Sequence, residues 1–157
     1  MTSIRQFQFR LQSQHQAPER TSTDLAVQWL SQEGSWEPQE LSLQMPGFRI
    51  YLISLLLCQH HYLVANALEL QVPLAAVEAE FSVTAAENWI LKRVTGEFRL
   101  LLDATAEELE PAPVPERDLS YIQERMQACP VSRNLPDGVE KFTTVRIAPG
   151  ANWCAEK

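Results

Sequence analysis

The stretch Phe48–Leu70, FRIYLISLLLCQHHYLVANALEL, decides the fold. It is apolar around most of its helical circumference, and Pro46-Gly47 opens it. A helix of that kind has little face to give to water, so it is buried on nearly all sides. In a chain of 157 residues this puts it at the centre of one domain, with the remaining polypeptide laid around it. It does not read as a membrane span. The longest apolar run, Ile50–Cys58, stops at Gln59-His60-His61, short of the ~20 residues a span needs. Cys58 lies near the middle of the helix.

Upstream, residues 4–12 alternate, with Phe7, Phe9 and Leu11 at period two, as in a half-buried strand. His15–Thr23 reads as a turn. Asp24–Gln32 reads as a second strand on Leu25, Val27 and Trp29, with a short helix as the alternative. Glu33–Glu40 reads as a loop, and Leu41, Leu43 and Met45 predict a third strand over 41–45. Downstream, Val77, Ala79, Phe81 and Val83 alternate with Glu78, Glu80 and Ser82, a strand with one wet face. A further strand within Arg93–Ala104 pairs with it as an antiparallel hairpin. Glu110–Glu116, with prolines at 111, 113 and 115, is an extended connector. Arg117–Cys129 has helical spacing, with Leu119, Ile122, Met126 and Cys129 on one stripe and Asp118 or Ser120 as cap. Glu140–Ala148 is a last strand, and Pro149–Lys157 a tail.

These elements make an α+β fold, an antiparallel sheet wrapped on a long central buried helix. The whole chain, 1–157, reads as a single domain: N-terminal strands in 1–45, the central helix in 46–71, and strands, a second helix and a C-terminal strand in 74–157. One chain's sheet is hard put to cover so apolar a helix, and dimerisation is the natural remedy.

Composition narrows the function. A net charge of −7 and a pI near 5.0 argue against a nucleic-acid backbone and against an anionic membrane surface as partners. The N-terminus MTSIRQFQFRLQSQ has no apolar core of a signal peptide, so a cytoplasmic location is expected. Three cysteines, Cys58, Cys129 and Cys154, without a secretory signal point to reactive thiols before structural disulfides.

Cys129 stands directly before Pro130. Proline biases the residue before it away from helical angles, so the helix ends at Cys129. Pro130 suits the first position of a new short turn, Pro130–Leu135. Cys129 then sits at a helix–helix corner near free backbone N–H groups, which stabilise a thiolate. A buried small hydrophobe is the other reading of the same residue.

Cys129-Pro130-Val131-Ser132, together with Cys58 in a long apolar helix, resembles the OsmC/Ohr family, the osmotically inducible and organic hydroperoxide resistance proteins. Element order and length match from about Ile4 to Ala148. The resemblance implies an OsmC-like fold and an intertwined homodimer with active sites at the subunit interface. It implies reduction of organic hydroperoxides in oxidative or osmotic stress defence, with Cys58 attacking, Cys129 resolving and a dithiol as reductant. No cofactor and no metal are implied.

That chemistry needs a thiolate, which the family obtains from an arginine held by a glutamate at the entrance of the central helix. Here Phe48 and Arg49 occupy that entrance, and neither is acidic. Arg10, Arg20 and Arg49 are the arginines in range by location. His61 and Tyr62, three and four residues after Cys58, flank its helical face and are possible thiolate support, as is Arg49. His60 lies roughly opposite and is set apart from sulfur. The Cys58-Gln59-His60-His61 run is not a zinc site, because only Cys58 and His61 share a face. Cys154 reads as a bystander thiol. Phe48, Tyr51 and Leu55 suit an alkyl tail. The rival to a thiol peroxidase is an OsmC-fold protein without the carboxylate–arginine pair, acting as an apolar ligand binder or a thiol sensor.

Overall fold

The computed structural model describes residues 3–103 and 113–148. The tail with Cys154 and the first half of the proline-rich connector lie outside them. Period-two patterning has built β1 (Arg5–His15), β2 (Ser22–Leu30), β4 (Leu74–Ala85), β5 (Leu91–Leu102) and β6 (Glu140–Ile147), with a short β3 (Trp36–Pro38). The helices are α1 (Gly47–Glu69), α2 (Glu116–Gln127) and α3 (Pro130–Arg133). All six strands form one sheet in the order β3-β2-β1-β4-β5-β6.

The register explains the core. Phe9 pairs with Phe81 and with Trp29, Leu11 with Ala79 and Val27, and Ala79 with Phe98. Odd residues of β1 and β4 and even residues of β5 therefore share one face, which the helices cover. Phe9, Phe81 and Phe98 are fully buried there with Leu52, Leu55, Leu56 and Leu63 of α1 and Ile122 and Met126 of α2. The opposite face is polar. Arg99 lies 4.0 Å from Glu78 and 3.9 Å from Glu80, and the Arg10 guanidinium stacks 4.0 Å from the centre of the Trp36 ring.

Gly96 marks the tightest point of this packing. A Cβ there would come within 2.9 Å of Cε2 of Phe98 and 3.4 Å of Oε1 of Gln59. The Phe98 ring is wholly buried and has nowhere to move. Gly96→Ala is expected to lower stability by about 1–3 kcal/mol, read as a drop in the urea midpoint.

Three expectations are corrected. The third strand is not at 41–45 but at Trp36–Pro38, where Trp36 pairs with Leu30. Leu41 and Leu43 alternate as a strand would, yet they are 62% and 102% exposed, because no strand lies beside them. The sheet is not wholly antiparallel, since β6 runs parallel to β5. The chain between them passes through α2 and α3, and such a crossover is what a parallel neighbour requires. α2 begins at Glu116 behind Pro115, with no side-chain cap, so neither Asp118 nor Ser120 caps it. Proline at that boundary fixes the entry angle without a capping hydroxyl.

α1 is sheathed on most of its circumference but not all. Tyr51, His61 and Ala65 are exposed, and Ser54, Cys58 and Tyr62 are half-buried. Those positions recur every three or four residues, so they form one stripe down the helix. Among the described residues, no helix is long and apolar enough to cross a membrane.

Candidate functional site: two thiols and a buried histidine pair

The α2–α3 corner forms as the Cys-Pro step dictates. α2 closes at Ala128, and Cys129 adopts extended angles, φ −61° and ψ 149°. Pro130 then takes the first position of α3. Cys129 is the N-cap of α3, and the Ser132 N–H donates to its Sγ at 3.5 Å. The side chain is wholly buried.

α3 packs against α1, and this brings Cys58 to Cys129. The two thiols are free and lie close enough for the Cys58 side chain to act on Cys129. Burial pushes the Cys129 thiol up to about 11, with Cys58 pushing the same way against the Ser132 and Val131 N–H groups. Cys129 therefore keeps its proton at neutral pH. No cation stands among the groups that act on it.

The arginines in range by location are engaged elsewhere. Arg10 lies on Trp36, on the polar face of the sheet. Arg20 binds the Asp103 carboxylate at 2.7 Å and the Leu74 carbonyl at 2.6 Å. Arg49 stacks 3.7 Å from the Trp29 ring centre. It lies on α1 nine residues before Cys58, roughly 13 Å along the axis. His61 is exposed and meets the Tyr62 ring edge-on, with centroids 6.1 Å apart. Among the described residues neither side chain hydrogen-bonds Cys58. The structure thus brings Cys58 and Cys129 together, leaves His61 and Tyr62 on the Cys58 stripe, and holds Arg49 away.

A second polar cluster escaped sequence reasoning. Ser13 and His15 continue the odd series of β1 onto the core face, beyond Phe7, Phe9 and Leu11. Ser13 Oγ lies 2.8 Å from Nε2 of His15 and 2.8 Å from Nε2 of His60. His15 Nδ1 lies 3.0 Å from the Arg20 carbonyl. All three side chains are buried, with exposures of 0%, 2% and 3%. Burial lowers both imidazoles, His60 to about 4. The signal was a polar pair on an apolar strand face, which demands partners. Its partner, His60, is far away in sequence and on another kind of element.

No protein-family model matches the chain, and no curated protein matches it. Among solved structures, it resembles a protein of Psychrobacter arcticus 273-4 described as osmotic stress induced and of the detoxification response. The identity is 13% and the TM-score 0.50, over 80% of this chain and 89% of the other. An OsmC-like hydroperoxide resistance protein from Jannaschia sp. CCS1 aligns at 16% identity and a TM-score of 0.49, over 83% and 86% of the two chains. At such identity the likeness is one of architecture alone, and on that ground this chain shares the fold of the Psychrobacter arcticus protein.

Proposed function

We propose that the protein is a homodimeric, cysteine-based hydroperoxide reductase in which Cys58 attacks and Cys129 resolves. The observation that supports this most is the approach of two free thiols that stand 71 positions apart in the chain. In this reading the Cys58 thiolate attacks one oxygen of the O–O bond. The bond breaks, the alkoxide leaves and is protonated to the alcohol, and sulfur becomes a sulfenic acid. Cys129 then displaces the sulfenic hydroxyl as water, and a disulfide forms. The thiolate is the nucleophile, so Cys129, raised to about 11, must give up its proton as it attacks, and that proton leaves with the departing hydroxyl as water. An external dithiol returns both sulfurs to thiols by exchange.

The uncovered stripe of α1 supports the dimer in this proposal. Tyr51, Cys58, Tyr62 and Ala65 lie on a side of the helix that the described residues cover only in part. A second copy seated there would bury it and bring new side chains to Cys58. Among the described residues no cation stands among the groups that act on Cys129, so in this reading the cation that thiolate attack requires would come from that copy.

A second reading is favoured by the same lack of a cation and by Phe48 and Arg49 at the helix entrance. In it the protein binds an apolar ligand or senses thiol oxidation without turnover. Reduced protein mixed with cumene hydroperoxide and a dithiol separates the two. The enzyme reading expects consumption that is lost by at least about 100-fold in Cys58→Ser, the scale of removing a nucleophile. It also expects Cys129→Ser to halt at a trappable sulfenic acid on Cys58. No peroxide consumption by the unaltered protein leaves the second reading.

A further inference from the structure

The hydrogen-bond chain through Ser13 has only one consistent direction. The Arg20 carbonyl can only accept, so Nδ1 of His15 carries a proton and donates to it at 3.0 Å. In the neutral ring Nε2 of His15 is then bare, and it accepts the Ser13 O–H at 2.8 Å. Ser13 Oγ, with its one proton committed, accepts from Nε2–H of His60 at 2.8 Å. The opposite order would set a bare His15 Nδ1 against a carbonyl oxygen. One backbone carbonyl thus fixes both tautomers, and Nδ1 of His60 is left without a partner among the described residues.

That arrangement can carry a proton without losing a bond. A proton added at Nδ1 of His60 makes an imidazolium. Its Nε2 proton passes to Ser13 Oγ, and the Ser13 proton passes to Nε2 of His15. The charge has moved to His15, His60 is neutral with its proton on Nδ1, and all three hydrogen bonds remain with the two at Ser13 reversed. A second proton has no such accommodation, because both rings would then donate to one hydroxyl and leave its proton unplaced. We infer that Ser13, His15 and His60 form a one-proton relay joining α1 to the β1–β2 turn, a site that takes up a single shared proton as the medium acidifies.

The backbone is shaped for it. The β1–β2 ladder shifts register between Gln12 and Gln14, so that Ser13 faces a bulge in β2 at Asp24, φ +50°, and Leu25. Bulges of this kind re-aim side chains. The ring centroids of the two histidines stand 6.2 Å apart, bridged by the hydroxyl.

The charges around the relay are few. His61 is the nearest titratable neighbour on α1, and Arg20 faces His15 from the turn, neutralised in part by Asp103 at the end of β5. β4 presents Val77 and Ala79 on this face, and α2 packs with Leu119, Ile122 and Met126. Cys58 and Cys129 lie on the other flank of α1. Both imidazoles are held below their ordinary value, burial being the first cause, so the relay is empty at neutral pH.

The protein has three histidines, so the full chain labelled with ¹⁵N on histidine gives three resolvable rings. At pH 7.5 two-bond ¹⁵N–¹H spectra are expected to show His15 protonated at Nδ1 and His60 at Nε2. On acidification both rings are expected to move with one common midpoint, because a shared proton titrates as a property of the pair. Ser13→Ala is expected to split that midpoint in two, and Ser13→Thr, which keeps the hydroxyl, to restore it. A His15 protonated at Nε2 at pH 7.5 overturns the relay. So do two separate midpoints in the unaltered protein, or a Ser13→Ala protein whose midpoint stays single. If Ser13→Ala does not fold, the tautomers and the wild-type midpoint decide the matter alone.

Discussion

One equivalent of cumene hydroperoxide is expected to make the protein more stable, by about 4 kcal/mol. Joining Cys58 to Cys129 closes a loop of 71 positions. A link across that span removes much of the conformational freedom of the unfolded chain, and the gain grows with the logarithm of loop length. The folded state has little to give up, because α3 already rests on α1 and the thiols already act on one another. The check is urea unfolding of oxidised and reduced protein in a Cys154→Ser background, which removes the thiol of the tail. Cys58→Ser in that background should show one midpoint whatever the oxidant. A mass unchanged by oxidation, or equal midpoints in the two states, would sink the two-cysteine reading. Strain in the new bond would shrink the shift without reversing the need for a loss of two hydrogens.

How far this could be read from the chain differs by element. β1, β4 and β5 are legible because each has one face in the core, and burial imposes period two on the residues themselves. β3 is not, since three residues carry no period, whereas Leu41 and Leu43 imitate one with nothing covering them. The direction of β6 is invisible for a different reason: alternation says which face a residue takes and nothing about which way the strand runs. The boundary at Cys129 is legible in full, because the covalent restriction of proline acts on its immediate neighbours and needs no tertiary partner.

The candidate site divides along the same line. Local chemistry fixes Cys129 as a cap and Pro130 as the first residue of α3. That Cys58 is its neighbour came from the resemblance of the Cys-Pro-Val-Ser run, since no spacing rule connects two residues so far apart. Arg20 could not be assigned from sequence because its place depends on the turn after β1 and on two acceptors, the Leu74 carbonyl and Asp103, from distant strands. Ser13 and His15 could have been flagged. They extend a core-facing series, and polar groups on such a face must be satisfied from across the core.

Acid is expected to weaken the fold sharply between pH 6.5 and 4, and the histidine pair is the cause. The buried pair takes up its proton well below the 6.5 of a free imidazole, chiefly because burial lowers His60, to about 4, and His15 in the same direction. The unfolded chain therefore binds more protons than the folded one in that window. Stability is whole above pH 6.5 and falls as pH drops toward 4, by about 3 kcal/mol from His60. His60→Gln keeps an N–H to donate to Ser13 and takes up no proton. Its stability at pH 7 is expected to lie below that of the parent, since amide and imidazole differ in shape, but its decline on acidification is expected to be shallower by about one proton's worth of slope. Urea unfolding at half-unit steps from pH 7 to 4.5 reads the difference. Parallel curves for parent and variant would mean that His60 takes up its proton in the native state as readily as in the unfolded chain, and the buried neutral ring assigned beside Ser13 would go with it. The exposed His61 supplies the control, because His61→Gln removes from the same helix an imidazole that acts on His60 only as the least of the causes lowering it. A slope that changes as much in His61→Gln as in His60→Gln would likewise take the acid response away from the core of the protein.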